Sequence, residues 1–485
     1  MVARAIRQAR PGTEIEFKFK ASLGDLNPDR SLTDFQKGAF TSDFVKDLVT
    51  GEYDMVVHSW KDLPTEKNES TVVAATLPRA DVRDLLLVPK TVVSQKPAVM
   101  RVLASSPRRA YNLSEFLPKI IPWTATVEFT PVRGNIQTRI NKLLAGEGEA
   151  LIVAKAAIDR LLATEGEEFA KTRAEIRAGI DTCNWMVLPL SQNPSAAAQG
   201  ALAIEISEKR TDLKHILGLI SDPVSFAEAE EERLILSQYG GGCHQKIGVS
   251  VLSRDQGSLI SLRGLTLDGR VLRRYEWRGQ RPIEKAKSES AIFPSTPSAA
   301  KWFERKALDE SAWRTKIEAA RALWVARVSA WPEGFNGFGR WVWTAGIASW
   351  VELAKAGVWV HGCSDHMGES EPPMIDSLAG SKLEWRRLTH AAAADNESIA
   401  TYELVPSAEP PDLKGKTHFY WMSGSSFERA LKLFPEEIQS GVHACGGGKT
   451  KKLINERLGR EPHVFLTWSQ WRESVLSRGD ENENR

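Results

Sequence analysis

Twelve of the sixteen tryptophans follow residue 300, and only Trp60, Trp123, Trp185 and Trp277 precede it. So sharp a break in the bulkiest core residue constrains the chain to at least two units with separately built cores. Its 485 residues also exceed what one hydrophobic core serves. Between the two compositions, residues 279–300 (GQRPIEKAKSESAIFPSTPSAA) are polar and rich in Pro, Ser and Ala, the makeup of a linker. Hydrophobic residues at 42% and charged residues at 26% describe a soluble globular chain. Lys and Arg (64) nearly balance Asp and Glu (62), so no bulk basic field points to nucleic acid. No uncharged apolar run is long enough to span a membrane. Arg4, Arg7 and Arg10 fall on a helical period without an apolar stretch, which excludes a secretory signal and argues against a transit peptide. Four cysteines, Cys183, Cys243, Cys363 and Cys445, make no disulfide framework and fit a reducing cytoplasm.

The first part alternates strands and helices. Residues 41–42 can cap a helix that Gly51 ends, and strands are expected at MVVHS (55–59), RVLAS (101–105), VEFT (127–130) and ALIVA (150–154). A helix begins at Asn135 and stops at Gly146. This alternation predicts mostly parallel sheets, with ligands at the carboxyl ends of strands. From residue 226 a helix (FAEAEEERLILSQYG) precedes three strands with turn signals at Asp255 and at Asp268-Gly269, which predicts a small antiparallel α+β domain. Beyond 300 a weak repeat pairs WTAGIASWVELA (343–354) with WMSGSSFERAL (421–431) and VHGCSD (360–365) with VHACGG (442–447), which predicts two similar α/β lobes.

Arg108, Arg109, Arg133, Arg139 and Arg160 all sit just past expected strand ends. Guanidinium forks there suit a polycarboxylate or a phosphate; surface ion pairs are the plainer alternative. His58-Ser59-Trp60-Lys61-Asp62 ends a strand, where a carboxylate facing a cleft can hold developing positive charge or move a proton. Cys243 lies in GGGCHQKIG, a glycine loop that allows close backbone approach to a reactive or modified thiol. GGGKT (446–450) is no phosphate loop, because His443 stands where its first glycine is required. His361 and Cys363 occupy the same repeat positions as His443 and Cys445, so a zinc site is not expected.

Six segments resemble, in order, the signatures of the porphobilinogen deaminase (hydroxymethylbilane synthase) family: HSWKDLPT (58–65), LASSPRRAYNL (103–113), VRGNIQTRINKL (132–143), AAIDRL (156–161), PSAAAQGALAIE (194–205) and ERLILSQYGGGCHQKIGV (232–249). The resemblance implies an α/β fold of two periplasmic-binding-protein-like domains, residues 1–86 with 192–217 and residues 87–191, plus a small domain over 218–278. It implies a dipyrromethane cofactor joined to Cys243 by a thioether, with contacts from Lys37, Asp62, Ser105, Arg108, Arg109, Arg133 and Arg139. Asp62 and Lys61 become the catalytic pair, and His58, Ser59, Arg160 and Gln199 the substrate contacts. The implied chemistry condenses four porphobilinogen molecules with loss of ammonia, in a monomer without metal, nucleic acid or membrane partners. Every pyrrole carries an acetate and a propionate, which an arginine lattice would hold. The family opens with a strand bearing an Arg-x-Ser-x-Leu-Ala-type motif, and domain 1 is expected to lack it here. Pro107 replaces the usual aliphatic residue before the arginine pair. A non-catalytic carboxylate-binding module on the same scaffold would need neither Asp62 nor Cys243.

After an expected linker at 279–320, residues 321–485 resemble uroporphyrinogen-III synthase, through FYWMSGSSFERAL (419–431) and VHACGGGKTKKLINERLG (442–459). That resemblance implies a two-lobed α/β unit receiving linear hydroxymethylbilane, with Ser423, Ser425, Gly446 and Thr450 as candidate contacts. Lys449 stands where the family's threonine is usual, and a degenerate scaffold is the alternative.

Overall fold

A computed structural model of the chain describes residues 1–18, 42–241 and 245–476. Its contacts separate two compact units. The first comprises Met1–Ser253, Leu259–Tyr275 and Asp376–Ser381, and the second Arg254–Ser258, Glu276–Ile375 and Lys382–Arg485.

Unit 1 is mixed α/β. Strands β1 (Val56–Ser59), β2 (Thr71–Ala75), β3 (Asp84–Pro89), β4 (Val99–Leu103), β5 (Thr126–Thr130), β6 (Ala150–Ala154), β7 (Cys183–Val187) and β8 (Leu202–Ser207) form two sheets, ordered β1-β8-β2 and β5-β4-β6-β3-β7. The expectation of mostly parallel pairing holds for β4, which runs parallel to β5 and β6. It fails for β8, antiparallel to both β1 and β2, and for β3, antiparallel to both β6 and β7. The physical reason is connectivity. The chain leaves the first sheet before Asp84 and returns at β8, so neither strand follows its neighbours through a βαβ crossover, the step that enforces parallel pairing. The expected boundary at 86 therefore divides β3, which lies wholly in the second sheet.

Local rules account for most elements. The helix Ile136–Leu144 starts where the Asn135 side chain accepts the Thr138 N–H, and Gly146 (φ +81°) follows its end. Buried throughout, β6 reads ALIVA without polar alternation, as a central strand should. Pro107 opens the helix Pro107–Leu113, where its missing N–H has no helical partner to lose, so that departure from the family pattern is structurally benign. Most of a third sheet belongs to the same unit: after the helix Pro223–Ser237, strands β9 (Gly248–Arg254), β10 (Gly257–Leu265) and β11 (Val271–Arg278) lie in the order β11-β10-β9.

Unit 2 holds two sheets. Strands β12 (Ile292–Phe293), β13 (Phe303–Ala307), β14 (Ala322–Val325), β15 (Trp341–Thr344), β16 (Gly362–Cys363), β17 (Trp385–His390), β18 (Ser398–Pro406), β19 (His418–Trp421), β20 (Val442–Cys445) and β21 (His463–Val464) are ordered β13-β18-β17-β14-β15-β16 and β12-β19-β20-β21. The second of these sheets is parallel throughout. The repeat marks equivalent places: Trp343 is the last residue but one of β15 and Trp421 the last of β19, each followed by a short turn and a helix, Ile347–Lys355 and Gly424–Leu433. The linker expected at 279–320 is corrected. It contains β12, β13 and the helix Glu310–Ala319, because Ile292, Phe293, Trp302 and Trp313 bury apolar area in a stretch whose overall makeup is polar. Phe293, Trp302, Phe419, Trp421 and Phe427 share one core cluster.

The two histidines of the repeat are structural. Val342 N–H donates to His361 Nδ1 (3.1 Å). Trp421 Nε1–H donates to His443 Nδ1 (2.9 Å), and His443 Nε2–H donates to the Ile438 carbonyl (2.7 Å). That pattern requires a neutral ring, and burial brings the His443 pKa down to about 4.

Candidate functional site

The end of β1 carries the most distinctive chemistry. Trp60 is 2% exposed, packs on Phe226 and donates its backbone N–H to the Ala201 carbonyl (3.1 Å). With that ring anchored, the single 3-10 turn Trp60–Asp62 carries Lys61 and Asp62 beyond the strand end. Arg233 secures the far side by donating to the Leu63 carbonyl (2.9 Å) and to that of Pro64.

Asp62 is an exposed residue, yet the surrounding protein desolvates its carboxyl group and raises its pKa, against the pull of Lys61, His58 and Arg139. The Lys61 pKa is lowered, first by burial and then by the charges of Arg109 and Arg108, while Asp62 and Asp84 oppose the shift. Its ammonium donates to Gln199 Oε1 (3.4 Å). The Gln199 amide in turn donates to the Val82 carbonyl (2.7 Å) and to Asp84 Oδ1 (2.9 Å), which fixes which end of the amide faces Lys61.

Asp84 is fully buried and accepts from Arg108 (2.8 Å), Arg109 (2.7 and 3.0 Å), Asn193 (2.8 Å) and Gln199. Burial alone would raise its pKa; Arg109 and Arg108 hold it far below the carboxylate range. The two arginines, expected to grip a ligand's carboxylates, are 3% and 5% exposed. Arg108 donates further to Asn193 (2.9 Å) and to the Pro194 carbonyl, and Arg109 to the Ile152 carbonyl (3.2 Å). Much of their donor capacity is thus committed inside the protein.

The other expected residues divide. Arg139 donates to Ser105 Oγ (2.8 Å) and the Gly134 carbonyl (2.7 Å), and its charge is felt by Asp62. Burial, followed by the charge of Arg109, lowers the Arg139 pKa, and Asp62 raises it. Arg160 donates to the Gly200 carbonyl, and its Nε is enclosed without a partner. Arg133 is exposed on the loop after β5. His58 faces Glu205 across the first sheet (3.0 Å), and Thr71 donates to the same carboxylate (2.6 Å). Ser59 ends β1 opposite Leu202. Lys37 and Cys243 lie outside the described residues.

The flanks of the Cys243 loop are described, and they are tightly held. Gly241 (φ +60°) lies so close to Thr65 that an added Cβ would fall 2.2 Å from its hydroxyl. The buried Gln245 amide donates to the carbonyls of Tyr239 (2.6 Å) and Gly241 (2.9 Å). The glycine loop thus begins beside a residue three positions past Asp62.

Sequence reasoning missed Asp84, Asn193, Arg79, Glu232 and Arg233. Arg79 meets Glu232 through two bonds (2.9 and 2.6 Å), and Glu232 also accepts the N–H groups of Ala198 and Val251 (2.7 Å each). The available signal was a charge heading or punctuating an apolar run, as in Asp84-Leu-Leu-Leu-Val, which needs a buried counter-charge.

In unit 2, Ser423 caps the helix Gly424–Leu433 by accepting the Ser426 N–H (3.3 Å), and Ser425 Oγ lies 3.3 Å from His390 Nε2. Gly446 follows β20, and Thr450 lies in the first turn of the helix Lys449–Leu458. That turn is faced by the chain's own residues: an added Cβ on Gly447 would fall 2.8 Å from the Met367 carbonyl, and Lys449 pairs with Glu369 (3.2 Å). Among the described residues, no group of three or more His, Cys, Asp or Glu side chains could hold a metal ion, and no helix is long and apolar enough to cross a membrane.

A family model described as porphobilinogen deaminase, dipyromethane cofactor binding domain, matches residues 1–215. The porphobilinogen deaminase of Syntrophomonas wolfei is 31% identical over 273 residues, 56% of this chain and 81% of its own length. That of Lachnospira eligens is 33% identical over 279 residues, 56% of this chain and 86% of its own. The uroporphyrinogen III synthase of Thermus thermophilus superposes on 33% of the chain at 11% identity with a TM-score of 0.17, too low to carry an argument about unit 2. Relatives 31% and 33% identical to this chain are matched over more than four fifths of their own length: the chain belongs to the porphobilinogen deaminase family.

Proposed function

We propose that unit 1 condenses porphobilinogen molecules head to tail, releasing ammonia at each addition, with a dipyrromethane primer attached to Cys243. The observation that carries the reading is Asp62: a carboxylate just past a strand end, on an exposed residue, with raised proton affinity and three basic groups close enough to oppose that rise. Loss of ammonia requires a proton at the departing amine and leaves positive charge on the pyrrole nitrogen. A carboxyl group that holds its proton to higher pH than usual can deliver that proton, and the resulting carboxylate can accept the pyrrole N–H. The same carboxylate then takes the α-proton lost when the new carbon–carbon bond forms. Lys61, oriented through Gln199, keeps the carboxylate from becoming a permanent acid.

The residues present fit a carboxylate-rich cofactor. Arg139 lies close enough to Asp62 for its charge to act on the carboxyl group, Arg160 keeps an enclosed Nε without a partner, and Arg133 is exposed nearby in sequence. When bound, the dipyrromethane supplies a free pyrrole α-carbon as nucleophile. The test is intact-protein mass. The unchanged chain and Cys183→Ser are expected to exceed their sequence masses by one dipyrromethane, and Cys243→Ser to lack the increment. An active, unmodified chain would refute the assignment. Cys183 and Cys445 are buried free thiols, and burial pushes their pKa values up to about 11 and about 12.

For unit 2 we propose cyclisation of the linear tetrapyrrole, with inversion of its last ring. Two α/β lobes with matching strand–turn–helix repeats support the reading, as do the turns after β19 and β20 at neighbouring parallel strand ends. Full-length protein supplied with porphobilinogen is then expected to release mainly the III isomer. Exclusive formation of the spontaneous I isomer would leave unit 2 as a scaffold.

A further inference from the structure

We infer that unit 2 carries a polycarboxylate-binding site built by Arg305, Arg327 and His390, where the ends of β14 and β17 meet the turn after β19. None of these three residues lies in the segments that resemble the synthase.

Strand register brings them to one place. Arg305 on β13 pairs with Leu404 of β18, and Ala307 pairs with Tyr402. Tyr402 pairs in turn with His390 of β17. Alternation along strands puts Arg305, Tyr402 and His390 on one face, and the His390 and Tyr402 rings lie 5.9 Å apart. On the other side of β17, Val325 of β14 pairs with Leu388, so Arg327, two residues past Val325, reaches the level of His390. Two contacts tie this point to the turn after β19: Arg327 donates to the Met422 carbonyl (2.8 Å), and Ser425 Oγ lies 3.3 Å from His390 Nε2.

The chemistry left open there points to an anion. Among the described residues, neither Arg305 nor Arg327 forms an ion pair with a carboxylate, unlike the neighbouring Lys306, which pairs with Glu403 (3.5 Å). After burial, the charge of Arg305 is what most lowers the pKa of both Arg327 and His390, so the guanidinium groups are close enough to repel. His390 Nδ1 is enclosed without a partner. Two cations and an unpartnered ring nitrogen, beside a helix start, form a site that is relieved when carboxylates enter it. The choice of a tetrapyrrole carboxylate as ligand rests on the proposed cyclisation; the site itself rests on the geometry.

Binding of uroporphyrin I, a tetrapyrrole bearing eight carboxylates, to the cofactor-loaded full chain tests the inference, with the unchanged protein as reference. Arg305→Gln and Arg327→Gln are each expected to weaken binding by roughly ten- to a hundred-fold, as for a lost charge-assisted hydrogen bond. Arg305→Lys should recover part of the loss, and Lys306→Gln should leave binding unchanged. Inorganic phosphate is not expected to displace the porphyrin. Unaltered binding in Arg305→Gln, which changes an exposed residue and needs no refolding, overturns the site, as does displacement by phosphate at the concentrations that displace it from the Arg305→Gln protein. Product analysis separates the two readings. Predicted binding losses with only the I isomer keep the site and sink the cyclisation; unaltered binding with the III isomer does the reverse.

Discussion

Two sets of arginines, one in each unit, are held in opposite ways. In unit 1, Arg108 and Arg109 converge on Asp84, Arg79 on Glu232, and Arg83 on Asp81, all largely buried. In unit 2, Arg305 and Arg327 approach each other and pair with no carboxylate among the described residues. The difference teaches what an arginine past a strand end is for. Where a buried carboxylate meets it, the guanidinium becomes framework, and a neighbouring side chain such as Lys61 is positioned against that framework through Gln199. Where none does, the cation is left for something that arrives from outside.

The sharpest way to break this comparison is Asp84→Leu. Removing one partner from a buried cluster leaves Arg108 and Arg109 as uncompensated charges, so chemical denaturation is expected to show a loss of about 3–5 kcal/mol, with activity lost alongside. A change near zero would mean that these arginines are not framed by Asp84. Asp62→Asn should do the opposite: keep the fold and the cofactor mass increment while turnover falls by about 10²–10⁴-fold, as expected on losing a group that moves a proton. Wild-type turnover in that variant would place the chemistry elsewhere.

A smaller effect tests the structural histidines of unit 2. His443 has a folded pKa of about 4 against an ordinary 6.5, so the unfolded chain takes up a proton that the folded one refuses. Its contribution is complete above pH 6.5 and is lost as pH falls toward 4, a decline on the order of 2–3 kcal/mol. Tryptophan fluorescence during denaturation at a series of pH values reads it, and His443→Gln should flatten the slope over that window. Smallest of all is Arg101→Ala. Arg101 is exposed and its partner Glu149 only partly so, and the loss is expected to be under about 1 kcal/mol, read as a small shift of the denaturation midpoint.

Part of the fold around the site was legible because its signals are local. The strand end at His58-Ser59 with the turn Trp60–Asp62, and the Asn135 cap, each declare themselves within a few residues. The framing role of Arg108 and Arg109 was not, since their partner Asp84 lies 24 and 25 residues away and reaches them only once β3 enters the second sheet. Arg305, Arg327 and His390 stand even further apart in sequence, on different strands or past their ends, and no spacing rule joins them. The stretch 279–320 misled for another reason. A two-residue strand such as Ile292–Phe293 is too short to show a period, and its burial is decided by β19 beside it.

By itself, then, the sequence determined the division into two compositions, the existence and type of most strands and helices in unit 1, and the family, because turn chemistry, capping and motif order act between near neighbours. Only the tertiary structure decided the direction of β3 and β8, which arginines are framework, and which are left without a counter-charge. Those outcomes depend on pairings between residues tens of positions apart, and the free energy of a buried charge is set by whichever group the fold places within a few ångströms of it.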